Sequence, residues 1–99
     1  MDLKGSRQLE CAVRLAILDE QMLQRVTRDL YSRVAVACAT TPRAVERNIR
    51  TVIKYMQTHY MSKELSEIAG YTVDLDYITN TDLIEILTSH YLRNNHNVE

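Results

Sequence analysis

Residues 40–60 read TTPRAVERNIRTVIKYMQTHY, and the fold turns on this stretch. Thr41 is placed to accept a backbone N–H as an N-cap, and Pro42 fits the first helical position, where its missing N–H costs nothing. At about 100° per residue, Val45, Ile49, Val52, Ile53, Met56 and Tyr60 fall on one side of a helix running to Tyr60. Arg43, Glu46, Arg47, Arg50, Lys54 and Gln57 fall on the opposite side, with four positive charges against one negative. The apolar side suits a core. The polar side suits either solvent or the major groove of DNA, where Arg reads guanine edges and Glu accepts from cytosine.

Immediately before this helix, Ser32 is placed to cap a short helix from Arg33 to about Ala39. It is almost entirely small and apolar (Val34, Ala35, Val36, Ala37, Cys38, Ala39), which lets another helix approach closely. A short helix, a tight turn at Ala39-Thr40-Thr41 and a long amphipathic helix make a helix-turn-helix pattern over about 32–60. Plain bundle packing produces helix pairs of the same outline.

Further towards the N-terminus, Ser6 is a candidate N-cap for a helix over about 7–19, with Leu9, Ala12, Val13, Ala16 and Ile17 at helical spacing. A second helix carries Met22, Leu23, Val26 and Leu30, and Asp29 is spaced to pair with Arg25 at i, i+4. On the C-terminal side, Ser62 caps a short helix to Ala69, and Gly70 stops it. Leu65, Ile68 and Ala69 form its apolar side, while Glu64 and Glu67 face solvent. Residues 71–80 suggest an extended connection or short strand with Tyr71, Val73 and Leu75 on one side. Asn80 or Thr81 caps a last helix to about Leu92, with Leu83, Ile84, Leu87 and Tyr91 as its stripe, and the tail RNNHNVE frays. The expected fold is all-α, a compact six-helix single domain over 1–99 with a central helix-turn-helix.

Composition supports this. Ninety-nine residues make about one domain. Hydrophobic content of 45% with 25% charged residues argues against disorder, and two Gly and one Pro suit helices better than turn-rich sheets. The net charge of −1 hides an asymmetry: residues 1–63 hold eleven Lys or Arg against six acids, whereas 64–99 hold one Arg against seven acids. That split suits an anion on a basic face and something else on an acidic one.

Cys11 and Cys38 stand far apart and read as buried reduced thiols. His59, His90 and His96 have no metal-ligand spacing. No apolar run approaches the ~18 residues of a membrane span, and MDLKGSRQ is not a signal peptide, so a soluble cytoplasmic protein without membrane contact is expected. GxSxG, HExxH and P-loop motifs are absent, and so are paired carboxylates with a plausible pocket. The expectation is a non-enzyme without cofactor or metal.

LKG at 3–5, TRDLYSRVA at 27–35, ATTPRAVERNIR at 39–50, GYTV at 70–73 and TNTDLI at 79–84 together resemble the C-terminal DNA-binding effector domains of the stage 0 sporulation protein A family. The similarity runs from about Leu3 to Arg93. It implies a transcription regulator of sporulation that inserts helix 42–60 into the major groove of double-stranded DNA, reading short TGTCGAA-like elements. It further implies head-to-tail homodimers on tandem sites, touching through the last helix, and contact with the RNA polymerase sigma subunit through 62–69. The family's VER tripeptide and following Arg correspond to Glu46, Arg47 and Arg50 in the major groove. Thr40 and Thr41 at the turn suit phosphate contacts. Arg43, Thr51 and Lys54 complete the expected DNA-binding set.

Two departures stand out. The family has Arg directly before the Val of VER, where this chain has Ala44 preceded by Arg43. One residue rotates a side chain about 100° around the helix, so the family's guanine contact does not transfer. The family's His after the second matching Arg is Thr51 here. The family's phospho-acceptor receiver domain is not in the sequence either. An excised domain and a stand-alone relative both fit that; the Ala44 and Thr51 departures favour a divergent stand-alone relative, which would be governed by expression level, a partner or a ligand. An alternative class is a protein-interaction module that keeps the fold, with weakened or lost DNA readout, and dimerises or competes with a related regulator.

Overall fold

The computed structural model describes residues 3–96. Among these residues the regular structure is all helical, in five α-helices: α1 Leu3–Leu18, α2 Tyr31–Ala37, α3 Pro42–Thr58, α4 Ser62–Ala69 and α5 Asn80–His96. The sixth helix of the expectation is not α-helical. Glu20–Gln24 form a 3-10 turn, and Val26–Leu30 are π-helical and run straight into α2. Arg25 between them has φ −137° and ψ 58°, which breaks the helical register. Asp29 therefore lies 3.9 Å from its neighbour Arg28 and does not pair with Arg25.

α3 is the spine. Val45 and Ile49 enter a cluster with Ala12, Ala16, Leu30, Tyr31, Val34 and Ile84. One turn further on, Val52 and Ile53 enter a second cluster with Leu65, Ala69, Val73, Leu75, Leu83 and Ile86. α1 packs on α3 and α5, α2 on α3, and α4 on α5. Burying each of these large side chains contributes about 1.5–3 kcal/mol, and that contribution holds the short helices in place.

Several boundaries differ from expectation, each for a local reason. α1 contains Gly5 and Ser6 instead of starting after them. Gly5 is buried where a Cβ would lie 2.7 Å from the Asn48 carbonyl oxygen and 2.8 Å from Val52 Cγ2. Its lack of a side chain thus lets α1 cross α3 closely, and beside it Asn48 Nδ2 donates to Gln8 Oε1 at 3.0 Å. Ser32 caps nothing: its hydroxyl donates to the Arg28 carbonyl at 2.7 Å. Only one face of the short α2 turns inward, through Tyr31, Val34 and Ala35, so Val36 is 84% exposed. Ser62 is the first residue of α4, whose cap is Met61.

α3 stops at Thr58, two residues short of Tyr60, which is 89% exposed instead of lying on the apolar face. Tyr60 adopts φ +54°, its N–H bonds the Gln57 carbonyl, and the Met61 N–H bonds that of Met56. This is a Schellman ending, built on a tyrosine in place of the usual glycine. α2 ends the same way on Ala39, φ +53°, with Thr40 N–H bonded to the Ala35 carbonyl.

Residues 71–79 form an irregular connection with no strand. Ser66 Oγ accepts from Val73 N–H at 2.8 Å, and Gln57 Nε2 donates to the Leu75 carbonyl at 2.8 Å. Val73 and Leu75 turn inward as expected, whereas Tyr71 is 61% exposed. α5 starts with a reciprocal cap that neither Asn80 nor Thr81 provides. Thr79 Oγ1 accepts from Asp82 N–H, and Asp82 Oδ2 accepts from Thr79 N–H. α5 continues past Leu92 to His96; the final residues 97–99 of the expected frayed tail, like Met1 and Asp2, lie outside the described residues.

Candidate nucleic-acid interface

The outward face of α3 is set by the depth at which its inward face is buried. With Val45, Ile49, Val52 and Ile53 buried, helical geometry turns Arg43, Arg47, Arg50 and Lys54 into one exposed stripe. Thr51 is exposed on one flank of that stripe, and Glu46 is partly buried on the other. The placement matches the charge pattern read from the sequence.

The cap is also as expected. Thr41 has φ −112° and ψ 155°, and its Oγ1 accepts from Ala44 N–H at 3.1 Å, with Pro42 following at the helix start. Its hydroxyl proton remains available to donate. Thr40 is partly buried in the turn, and Thr41 is exposed.

The polar groups of the stripe are not equivalent. Arg50 pairs with Glu46 one turn earlier, with the two side chains 62% and 32% exposed. Such a pair on a helix surface contributes only about 0.3–0.5 kcal/mol and opens easily. Among the described residues, Arg43, Arg47 and Lys54 make no ion pair. Thr51 Oγ1 donates back to the Arg47 carbonyl at 3.1 Å, so its methyl group faces outward more readily than its hydroxyl.

Beneath this surface lies a polar joint that the sequence reading missed. Asn80, at the start of α5, is buried and its Nδ2 donates to the Glu46 carbonyl at 2.9 Å. The same side chain lies beside the phenol of Tyr31, which is 3% exposed. Burial pushes that phenol above its ordinary range, against the neighbouring Asn80 amide and the charge of Arg50. The available signal was the Thr79-x-x-Asp82 spacing: once Thr79 is the cap, Asn80 is free to turn inward. A shallow pocket of about 490 Å³ opens beside this joint, bordered by Arg50, Lys54, Thr79 and Thr81.

Among the described residues no group of three or more His, Cys, Asp or Glu is arranged to hold a metal ion, and no helix is long and apolar enough to cross a membrane. The family model described as sporulation initiation factor Spo0A C terminal matches residues 1–91. No solved structure matches the chain.

Proposed function

The chain belongs to the family of the sporulation initiation factor Spo0A C-terminal domain, and from that membership we propose that it is a sequence-specific, double-stranded-DNA-binding regulator of transcription. The family is one of sporulation DNA-binding effector domains of response regulators and not a family of enzymes. The observation that carries the proposal is the exposed stripe Arg43, Arg47, Arg50 and Lys54 on a helix whose opposite side is locked into the core.

In this reading residues 1–99 are one effector domain, and α2, the turn and α3 act as a helix-turn-helix over about 32–60. α3 lies in the major groove, which at about 12 Å wide admits one helix. Arg47 and Arg50 meet guanine edges, and Glu46 accepts from a cytosine amino group once its ion pair with Arg50 opens. Arg43, Thr51 and Lys54 reach flanking bases or phosphates. Thr40 and Thr41 donate hydroxyl protons to the phosphate backbone ahead of α3. A second copy sits head to tail on tandem sites, and the exposed Lys63, Glu64 and Glu67 of α4 face the RNA polymerase sigma subunit. The protein works in the cytoplasm and needs no cofactor.

Selection from a pool of random duplexes, with sequencing of the bound fraction at several salt concentrations, tests the proposal. We expect one enriched short element and a logarithm of affinity that falls linearly with the logarithm of salt. Binding without enrichment removes the sequence-specific reading. An absence of any shift at moderate salt, together with a stable dimer in solution, favours an interaction module instead.

A further inference from the structure

A groove of about 710 Å³ runs between α1 and α5. One side of α1 lines it in four layers: Ser6, then Leu9 and Glu10, then Val13 and Arg14, then Ile17 and Leu18. Leu87 and Tyr91 of α5 form the other wall, and Val52 reaches it from the buried side of α3. The groove therefore lies behind α3, away from the basic stripe, and DNA recognition gives no account of it. Among the described residues six large apolar side chains are exposed, and two of them, Leu18 at 83% and Tyr91 at 48%, border this groove. A concave surface with large apolar side chains left in water at its rim is a surface for a partner. Glu10 and Arg14 pair with each other at 2.7 Å along α1 but stay 61% and 75% exposed, so both can take a second partner at little cost.

We propose that this groove is the contact between two copies of the chain, packed about a two-fold axis with their α1 helices antiparallel. The four layers are self-complementary in that orientation. An axis between the second and third layers sets Glu10 of each copy against Arg14 of the other, and Leu9 against Val13. It also sets the bulky end, Ile17 and Leu18, onto the small end at Ser6, about 18 Å away along α1 at 1.5 Å per residue. A parallel arrangement would put Glu10 against Glu10 and Arg14 against Arg14, and the repulsion of like charges decides against it. In the antiparallel pair the two ion pairs within the helices become one ring of four alternating charges at the centre of the contact. Such a contact is isologous, with the same patch on both copies. It is distinct from a head-to-tail arrangement on tandem DNA sites, in which unlike patches meet.

Sedimentation velocity of the full chain between about 1 μM and 1 mM tests the proposal. We expect a reversible monomer–dimer equilibrium with a midpoint between about 10 and 500 μM, in keeping with a small interface. Glu10→Arg and Arg14→Glu, each shown by circular dichroism to be folded, each weaken it about tenfold or more through like-charge repulsion. Mixing the two variants restores a dimer, because each copy then supplies the charge that the other lacks. Leu18→Asp, at an exposed position, also weakens self-association. The proposal is overturned if the wild type stays monomeric at the highest concentration, if the dimer survives Glu10→Arg and Leu18→Asp unchanged, or if the mixture stays monomeric. A chain that is monomeric throughout and takes up an apolar dye, with the dye lost in Leu18→Asp, assigns the groove to a small apolar ligand instead, and that too overturns it.

Discussion

Asn80 Nδ2 and the Glu46 carbonyl oxygen are joined by a 2.9 Å hydrogen bond across 34 residues of chain. It ties the start of α5 to the middle of α3. Asn80 also lies beside the buried Tyr31 phenol, so the start of α2 meets the same point. Asn80→Ala removes the bond to the Glu46 carbonyl and the polar group beside that phenol, in a place water hardly reaches, and this costs about 1–3 kcal/mol. Urea unfolding measures the loss. In a Tyr31→Phe background the hydroxyl is gone, so Asn80→Ala costs less there than in the wild type. Equal costs in the two backgrounds would show that the pair is not coupled.

The same phenol gives the protein an alkaline limit. Tyr31 loses its proton at a higher pH in the folded chain than in the unfolded one, because burial disfavours the phenolate. Its contribution to stability is therefore complete below the ordinary phenol pKa of about 10 and disappears as pH rises through the folded value. Absorbance titration of the six tyrosines should show one that ionises late, together with unfolding, and Tyr31→Phe should remove that late component. A late component that persists in Tyr31→Phe would assign it to another tyrosine.

Gly5 sets the distance between α1 and α3. Gly5→Ala places a methyl group 2.7 Å from a helix carbonyl oxygen and 2.8 Å from Val52 Cγ2, and the carbonyl belongs to backbone that cannot swing aside. Overpacking of this kind costs about 1–3 kcal/mol, although alanine favours an isolated helix over glycine by about 1 kcal/mol. Net destabilisation in urea is the expected result. Net stabilisation would mean that α1 does not cross α3 this closely in solution.

How far the sequence could be read depended on whether one spacing admitted one structure. α3 was legible because a threonine cap, a proline at the first position and an apolar stripe coincide at Thr41, Pro42 and Val45–Ile53, and its basic stripe follows from the same period. The segment from Met22 to Leu30 was not. Its apolar positions fit an α-helix, but they also fit a 3-10 turn and a π segment joined at Arg25, and only tertiary packing chooses between them. The end of α3 was hidden because Tyr60 occupies a left-handed position that glycine usually announces. The joint of Asn80, Tyr31 and Glu46 was hidden because long-range polar contacts leave no period in the chain.

Left-handed positions predict effects of opposite sign. Ala39 and Gly70 have φ +53° and +83°. An L-residue there costs about 1–2 kcal/mol, and glycine returns about 0.5–1 kcal/mol of that through its greater freedom when unfolded. Ala39→Gly is therefore expected to stabilise by up to about 1 kcal/mol. A Cβ at Gly70 meets nothing within 4 Å, so Gly70→Ala should destabilise by about as much, from backbone strain alone. Thermal unfolding of the two variants distinguishes this account from a steric one, in which Gly70→Ala would be neutral.

If α3 reads DNA as proposed, variants of its stripe should separate base reading from charge attraction. Arg47 is exposed near the middle of the stripe and makes no ion pair among the described residues, so its guanidinium is ready to meet a base edge. If it holds a guanine in two hydrogen bonds, Arg47→Ala costs about 1–3 kcal/mol on the preferred duplex and little on others, and discrimination at one base pair collapses. Lys54 is also exposed but lies further along α3. Lys54→Ala should weaken binding to every duplex alike and reduce the salt slope by about one. Glu46→Gln removes the partner of Arg50 and replaces an acceptor with a mixed donor and acceptor, so base preference should shift while the salt slope stays the same. Titrations of all three variants on matched and single-mismatch duplexes, at two salt concentrations, separate these effects. Uniform weakening by Arg47→Ala, with mismatch ratios unchanged, would place Arg47 on a phosphate and leave the reading of bases to Glu46 and Arg50.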